Sequence, residues 1–315
     1  MQLSRMTPLA GFFLAAVLSA PAGAVKTATP GANTAIPGMV NYVEGQASMG
    51  AQNLTSKSIG RAELQSGQSL QTQKGMAEVL LTPGVFLRLG NDTSVKMISP
   101  SLVNTEVQVS RGHAMIEADR VHKANHIYVD QDGTTVRLLK NGLYDFDADQ
   151  GLFRVFKGQA LVQEGDRRVK VKGGHEVSLN SNVKLKAQGF KQKAEEGDLY
   201  RFSRLRSDYL AEANAQATVY VTNGWTAGPG WWWDPWFHGY TFIPAGGGFY
   251  SPFGWGFYSP VAGYPYGGPY WGWIGPYHFL HRPPPYGYRP WSGTLHARSF
   301  PHGPAVGMLR GTHRG

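Results

Sequence analysis

Cysteine is absent from the 315 residues, which excludes disulfides and a thiol nucleophile. Lysine is missing after Lys193, and Asp234 is the only acid after Glu212. The formal net charge of +9 is therefore spread unevenly, and the end of the chain is positive through arginine alone. No apolar run reaches the ~20 residues that a membrane-crossing helix needs. The serine-hydrolase elbow Gly-x-Ser-x-Gly does not occur. Between residues 223 and 291 aliphatic side chains nearly vanish, which denies that stretch an ordinary core of its own.

What is present is organised around residues 71–95. Two short apolar runs, 76–82 and 85–89, flank Pro83-Gly84. Proline presets φ for the first corner of a turn and glycine supplies φ > 0 for the second. In the second run Val85, Leu87 and Leu89 share one face, with Phe86 and Arg88 on the other. Asn91-Asp92 turns the chain into the next apolar run. The same strand–turn–strand rule predicts strands at 38–48, 61–72, 76–82, 85–90, 94–98, 105–110, 113–118, 126–130, 134–139, 143–147, 152–156, 160–163, 169–171 and 176–179. Turn signals at this density without helical periodicity mean a mainly β domain, over residues 37–187. A weak Gly-x-Ala-x-apolar repeat starts at Gly45, Gly75, Gly112 and Gly158. Each Gly is expected to turn the chain with φ > 0, and each small Ala to mark a tightly packed layer. The unequal spacing fits a β-sandwich or an irregular β-solenoid.

The order of these elements resembles the FecR domain family. The residues that carry the resemblance are Gly38 to Gly45, Leu64 to Thr72 with its Gly67, the Gly75-Met-Ala-Glu-Val79 strand, and Phe86 to Val95 with its Asn91-Asp-Thr turn. Val107 to Glu117 and Phe153 to Val162 are similar to the family's closing strands. The resemblance implies an all-β domain outside the cytoplasm, with no catalytic residues. In the regulators that give the family its name, the domain relays a signal from an outer-membrane receptor to a cytoplasmic sigma factor. The cytosolic anti-sigma segment and transmembrane helix of those regulators are not expected here, so the resemblance implies the fold type and not the regulatory function.

The ends of the chain differ from the β domain. Arg5, the apolar run 9–18 and the small residues Ala22-Gly23-Ala24 read as a cleaved secretory signal over 1–24. Residues 25–36 follow as a loose leader. The protein is expected in the periplasm or outside the cell. Residues 188–217 change to helical spacing: Asp198 is a candidate N-cap, and Leu199, Phe202, Leu205, Tyr209, Leu210 and Ala213 form an apolar stripe. That helix is expected to dock on the β domain, with Arg206 among the residues facing away. Residues 218–315 are expected to be a largely unstructured tail rich in Gly, Pro and aromatics, and deleting residues 223–315 is expected to leave the β domain folded.

Candidate chemistry is sparse. His122 and His126 have a two-histidine spacing, but they sit among turn residues. Asp145, Asp147 and Asp149 resemble the start of a calcium loop, yet Gln150 stands where Gly is needed and Phe156 where the bidentate Glu belongs. Alternation accounts for Asp145 and Asp147 better, as charges near a sheet edge. No catalytic residue, cofactor or metal ligand is assigned. Trp231, Trp232, Trp233, Trp236, Trp255, Trp271 and Trp273 are the candidate ligand-stacking residues. Such rings stack on sugars, and equally on one another or on the β domain. The expected role is that of an exported, non-enzymatic protein of the cell envelope, with envelope glycans or an envelope protein as partner and no nucleic acid. A periplasmic signalling component and a carbohydrate-active enzyme stand as alternatives.

Overall fold

The computed structural model describes residues 35–121, 124–180, 184–222 and 229–259. The leading 1–34 and closing 260–315 lie outside them, so the signal, most of the leader, Trp271 and Trp273 receive no structural account, and neither does His122.

Strands dominate. They are β1 (Val40–Met49), β2 (Gln52–Leu54), β3 (Ser69–Leu80), β4 (Val85–Leu89), β5 (Ser94–Pro100), β6 (Asn104–Arg111), β7 (His113–Ala118), β8 (His126–Gln131), β9 (Thr134–Leu138), β10 (Gly142–Asp147), β11 (Leu152–Lys157), β12 (Gln159–Glu164), β13 (Arg167–Lys172), β14 (His175–Ser178) and β15 (Gln188–Gly189). Helix α1 (Asp198–Thr222) follows, and then two hairpins, β16 (Gly230–Asp234) with β17 (Gly239–Ile243) and β18 (Gly248–Tyr250) with β19 (Gly256–Tyr258). The prediction of a mainly β chain with a single helix holds.

The first fifteen strands form one sheet, in the order β13-β12-β9-β8-β6-β5-β3-β4-β7-β10-β11-β14-β15, with β1 along β3 and β2 on β1. Only β6 and β8 run parallel among the described strands. The sheet folds back on itself at β1 and β3. The start of β3 (Ser69 to Gln71) pairs with β5, and its end (Ala77 to Leu80) pairs with β4. At the corner Gly45 faces Gly75, and a Cβ on Gly75 would lie 2.3 Å from the Glu44 carbonyl. The sequence predicts two strands here, 61–72 and 76–82. The structure instead runs one strand through Gly75 and leaves residues 61–68 as a loop. Glycine at the bend lets the chain turn the corner without breaking its ladder with β1.

The fold-back makes a double layer of the sandwich type. Val129, Val136, Val162 and Val171 from one arm share a core with Leu87, Ile116, Phe146 and Val155 from the other. Ala47, Ala77, Ala114 and Ala160 of the Gly-x-Ala repeats all lie in this core, as the tight-layer reading requires. Three of the repeat glycines have positive φ, Gly45 at 68°, Gly112 at 77° and Gly158 at 101°. Gly75 does not, so the expectation of φ > 0 there is corrected: its requirement is space. Pro83-Gly84 makes the expected turn, with Gly84 at φ 84° and the Val85 N–H donating to the Thr82 carbonyl at 2.7 Å.

Strand β4 explains why more chain is needed. Val85, Leu87 and Leu89 point into the sandwich, while Phe86 and Arg88 on its outer face are also fully buried. A second core covers them. It joins Leu80 and Phe86 of the sheet to Leu210 and Ala211 of α1 and to Trp231, Tyr240, Phe242 and Phe257 of the hairpins. The expectation of an unstructured tail fails for residues 229–259. The aliphatics missing there are supplied by the sheet, and the Trp231 ring meets Phe86 edge-on at 5.2 Å.

Candidate functional site

The outer face of the β3, β4 and β7 arm carries Glu78, Arg88 and Glu117 in a row across neighbouring strands. Arg88 is paired with Glu78 in the β3–β4 register and with Met115 beside Glu117 in the β4–β7 register. All three side chains are fully buried. The Arg88 guanidinium donates to Glu78 at 2.7 Å and to Glu117 at 2.5 Å. Helix α1 completes the cluster from above. Arg206 donates to Glu78 at 2.8 Å and lies 4.4 Å over the Tyr42 ring, and the Ser207 hydroxyl donates to Glu117 at 2.5 Å. Burial pushes the Glu78 carboxyl up, but Arg206 and then Arg88 outweigh it and hold the group at about 2. Burial raises Glu117 despite Arg88 and Ser207. Asp119, two residues on, is pushed well up by burial and by the neighbouring Glu117 carboxylate, to which its protonated form can donate.

The predicted helix stripe is therefore rotated. Leu199, Phe202, Leu210 and Ala213 are buried as expected, but Tyr209 is 39% exposed and Leu205 only half-buried. Ser203, Arg206, Ser207 and Asn214 take the inward positions instead. An apolar-stripe rule cannot find a polar face that meets a charged partner. Charge complementarity between Glu78, Glu117 and the helix was the available signal.

A second cluster surrounds Arg154 on β11. It reaches Asp145 at 3.1 Å, Asp147 at 3.7 Å, Glu176 at 3.2 Å and Glu195 at 3.3 Å. His113 also pairs with Asp145. The reading of Asp145 and Asp147 as edge charges is corrected, because β10 lies inside the sheet between β7 and β11 and both carboxylates are buried. Their alternation with Tyr144 and Phe146 is as predicted, since those two rings fill the sandwich core.

Two asparagines pin the hairpins. The Asn41 amide donates to Glu78 and to the Tyr240 carbonyl at 2.9 Å, and its oxygen accepts the Tyr240 N–H at 2.6 Å. The Asn214 amide donates to the Phe242 and Tyr258 carbonyls and accepts the Tyr258 N–H. Strands too short to stand alone thus have their buried backbone groups satisfied from the sheet and the helix.

The candidate stacking residues divide accordingly. Trp231 and Trp232 are 3% and 4% exposed, so they are core residues with no face free for a ligand. Trp233 and Trp255 are half-buried. Trp236, at the β16–β17 turn, is 56% exposed. Asp234 fixes that turn by accepting the Trp236 and Phe237 N–H groups at 2.8 and 3.1 Å. Phe237 meets the exposed Tyr209 ring at 6.0 Å, and Trp233 meets His238 at 6.1 Å. These rings form an aromatic ledge on a pinned hairpin.

Elsewhere on the surface, an open cavity of about 630 Å³ lies between β2 and the 55–68 loop. No group of three or more metal-ligating side chains occurs among the described residues. No described helix is long and apolar enough to cross a membrane.

No family model matches this chain, and no curated protein matches it. Among solved structures it is similar to two crystal structures, at 1.65 and 2.50 Å resolution, of a "putative anti-sigma factor" from Parabacteroides distasonis ATCC 8503. Each match has 15% identity and a TM-score of 0.35 over 40% of this chain. The chain spans 62% of the length of that protein. So distant a likeness assigns this chain neither a family nor a role.

Proposed function

We propose that this is an exported, non-enzymatic protein of the cell envelope, a FecR-like β scaffold that binds envelope glycan through the aromatic ledge at the β16–β17 turn. The observation that carries the reading is Trp236, 56% exposed on a turn whose backbone is fixed by Asp234 and whose hairpin is pinned by Asn41. A large apolar ring held out to solvent on a rigid support costs little ordering when a sugar face stacks on it. The Glu78, Arg88 and Glu117 cluster is employed in holding the helix to the sandwich, and its burial leaves it no access to a substrate. Export rests on the basic, apolar and small-residue pattern of residues 1–24.

Co-sedimentation with isolated envelope glycan tests the proposal. The full chain pellets with the polymer, and Trp236→Ala reduces the bound fraction while leaving thermal unfolding unchanged. A full chain that stays in the supernatant overturns the glycan reading. Unchanged binding by Trp236→Ala removes the ledge from the site.

A further inference from the structure

We infer that the cavity beside β2 is a binding subsite for an acidic oligosaccharide. The inference rests on the glycan reading above and gives it a ligand class. The cavity lies within the roughly 300–1,000 Å³ typical of ligand sites, but those sites are mostly apolar. This one is lined almost throughout by hydrogen-bonding side chains, among them Gln52, Asn53, Gln65, Lys57, Arg61 and Glu63. Amides both donate and accept, which is what a ring of sugar hydroxyls requires. Gln52, Asn53 and the Gln65 amide make no side-chain hydrogen bond among the described residues, and all three are exposed. Lys57 and Arg61 form no ion pair there either. Two unengaged cations against the single Glu63 carboxylate favour a ligand that carries a negative group.

The walls are fixed before any ligand arrives. The loop is tied to β1 by Gly60 N–H to Val40 O at 2.9 Å, Val40 N–H to Ala62 O at 2.9 Å and Leu64 N–H to Gly38 O at 2.8 Å. Gly67 and Gln68 exchange backbone bonds with Met97 of β5. A capping box between Thr55 and Ser58 closes the turn that carries Lys57. Leu54 and Leu64 anchor the loop in the sandwich core. The cavity also adjoins the aromatic hairpin: the Trp233 ring lies so close over Gly60 that a Cβ there would sit 2.6 Å from it. An oligosaccharide seated at Arg61 can therefore extend towards the ledge.

The test uses two disaccharides that differ in charge. N-acetylglucosaminyl-N-acetylmuramic acid carries a lactyl carboxylate, and diacetylchitobiose is its neutral counterpart. In calorimetric titration of the full chain the acidic disaccharide binds saturably and the neutral one binds about tenfold more weakly, the loss expected for one charge-assisted contact. Arg61→Gln and Lys57→Gln each weaken the acidic ligand and leave the neutral one unaffected. Equal affinity for both sugars, or affinity unchanged in the Arg61→Gln/Lys57→Gln double variant, overturns the inference. Both residues are solvent-facing, so unaltered thermal unfolding separates lost binding from lost fold. Sedimentation with glycan polymer, run beside the titration, distinguishes the two failures. Polymer binding that depends on Trp236 but not on Arg61 leaves the proposed function standing without this subsite. No binding of polymer or disaccharide by the wild type overturns both.

Discussion

Arg206 of the helix donates to Glu78 of the sheet at 2.8 Å, across 128 residues of chain. Both partners are buried, and the same carboxylate already accepts from Arg88 and Asn41. Taking two ions out of water costs several kcal/mol each, so the cluster is sustained only while every member is present. Arg206→Ala should therefore destabilise the protein by about 3 kcal/mol, within the range found when one partner of a buried pair is removed. Denaturant unfolding followed by tryptophan fluorescence measures this, because Trp231 and Trp232 are buried against the same helix. A loss below about 1 kcal/mol would mean that the helix is held by packing alone.

The cluster also sets an acid limit with two opposed contributions. Glu78 is held at about 2, below its ordinary 4.5, so its contribution to stability is complete above about 4.5 and is lost as pH falls towards 2. Asp119 is raised well above its ordinary 3.8 by burial and by Glu117, so its ionised form costs stability at neutral pH. That cost is relieved as pH falls through the raised pKa. Stability should rise from neutral to weakly acidic pH and collapse below about 4.5. Asp119→Asn should reduce the rise, part of which is kept by the raised Glu117 and His113, and should stabilise the protein near neutral pH by about 1–3 kcal/mol. A melting temperature flat from pH 7 to 5 in the wild type would contradict the assignment.

Much of the sandwich was legible because its rules are local. The alternation of Val85, Leu87 and Leu89 against Phe86 and Arg88, the Pro83-Gly84 turn and the core positions of Ala77 and Ala114 all follow from strand period and turn chemistry. The inward turn of Arg206 was not legible, because it depends on Glu78 and Arg88 meeting it in space. The hairpins failed for the same reason. Composition judges whether a segment can build its own core, and 229–259 borrows half of its core from Leu80, Phe86 and Leu210. Trp231 is buried by that borrowing and Trp232 against Ala217 of the helix and Ile243, which narrows seven candidate stacking residues to the neighbourhood of Trp236 among the described ones.

Glycines of similar φ should respond differently to alanine. Gly133 has φ 75° and open space around a new Cβ, so Gly133→Ala should cost only the left-handed backbone strain of about 1–2 kcal/mol. Gly112 has φ 77° and Thr93 Cα at 2.6 Å from that Cβ, so Gly112→Ala adds a clash and should cost about 3 kcal/mol or more. Gly75→Ala tests space without φ, with the Glu44 carbonyl at 2.3 Å. Equal losses at Gly112 and Gly133 would show that the Thr93 contact relaxes freely.

Truncation distinguishes a tail from a part of the fold. Ending the chain at Thr222 removes both hairpins, strips Phe86 of Trp231, and leaves Asn41 and Asn214 without the backbone groups they hold. Leu80, Phe86 and Leu210 would then meet water. At about 1.5–3 kcal/mol for each large apolar side chain, the loss should be roughly 5 kcal/mol, or on the order of 10–20 °C in melting temperature. Ending the chain at Ser259 keeps every one of these contacts and is the reference against which that loss is read. If the Thr222 truncation melts with the Ser259 truncation, the hairpins are adherent and the sandwich needs no cover. If it melts early, the hairpins are needed to close the second core, and among their described rings Trp236 and Tyr250 are the ones left largely exposed to meet a ligand.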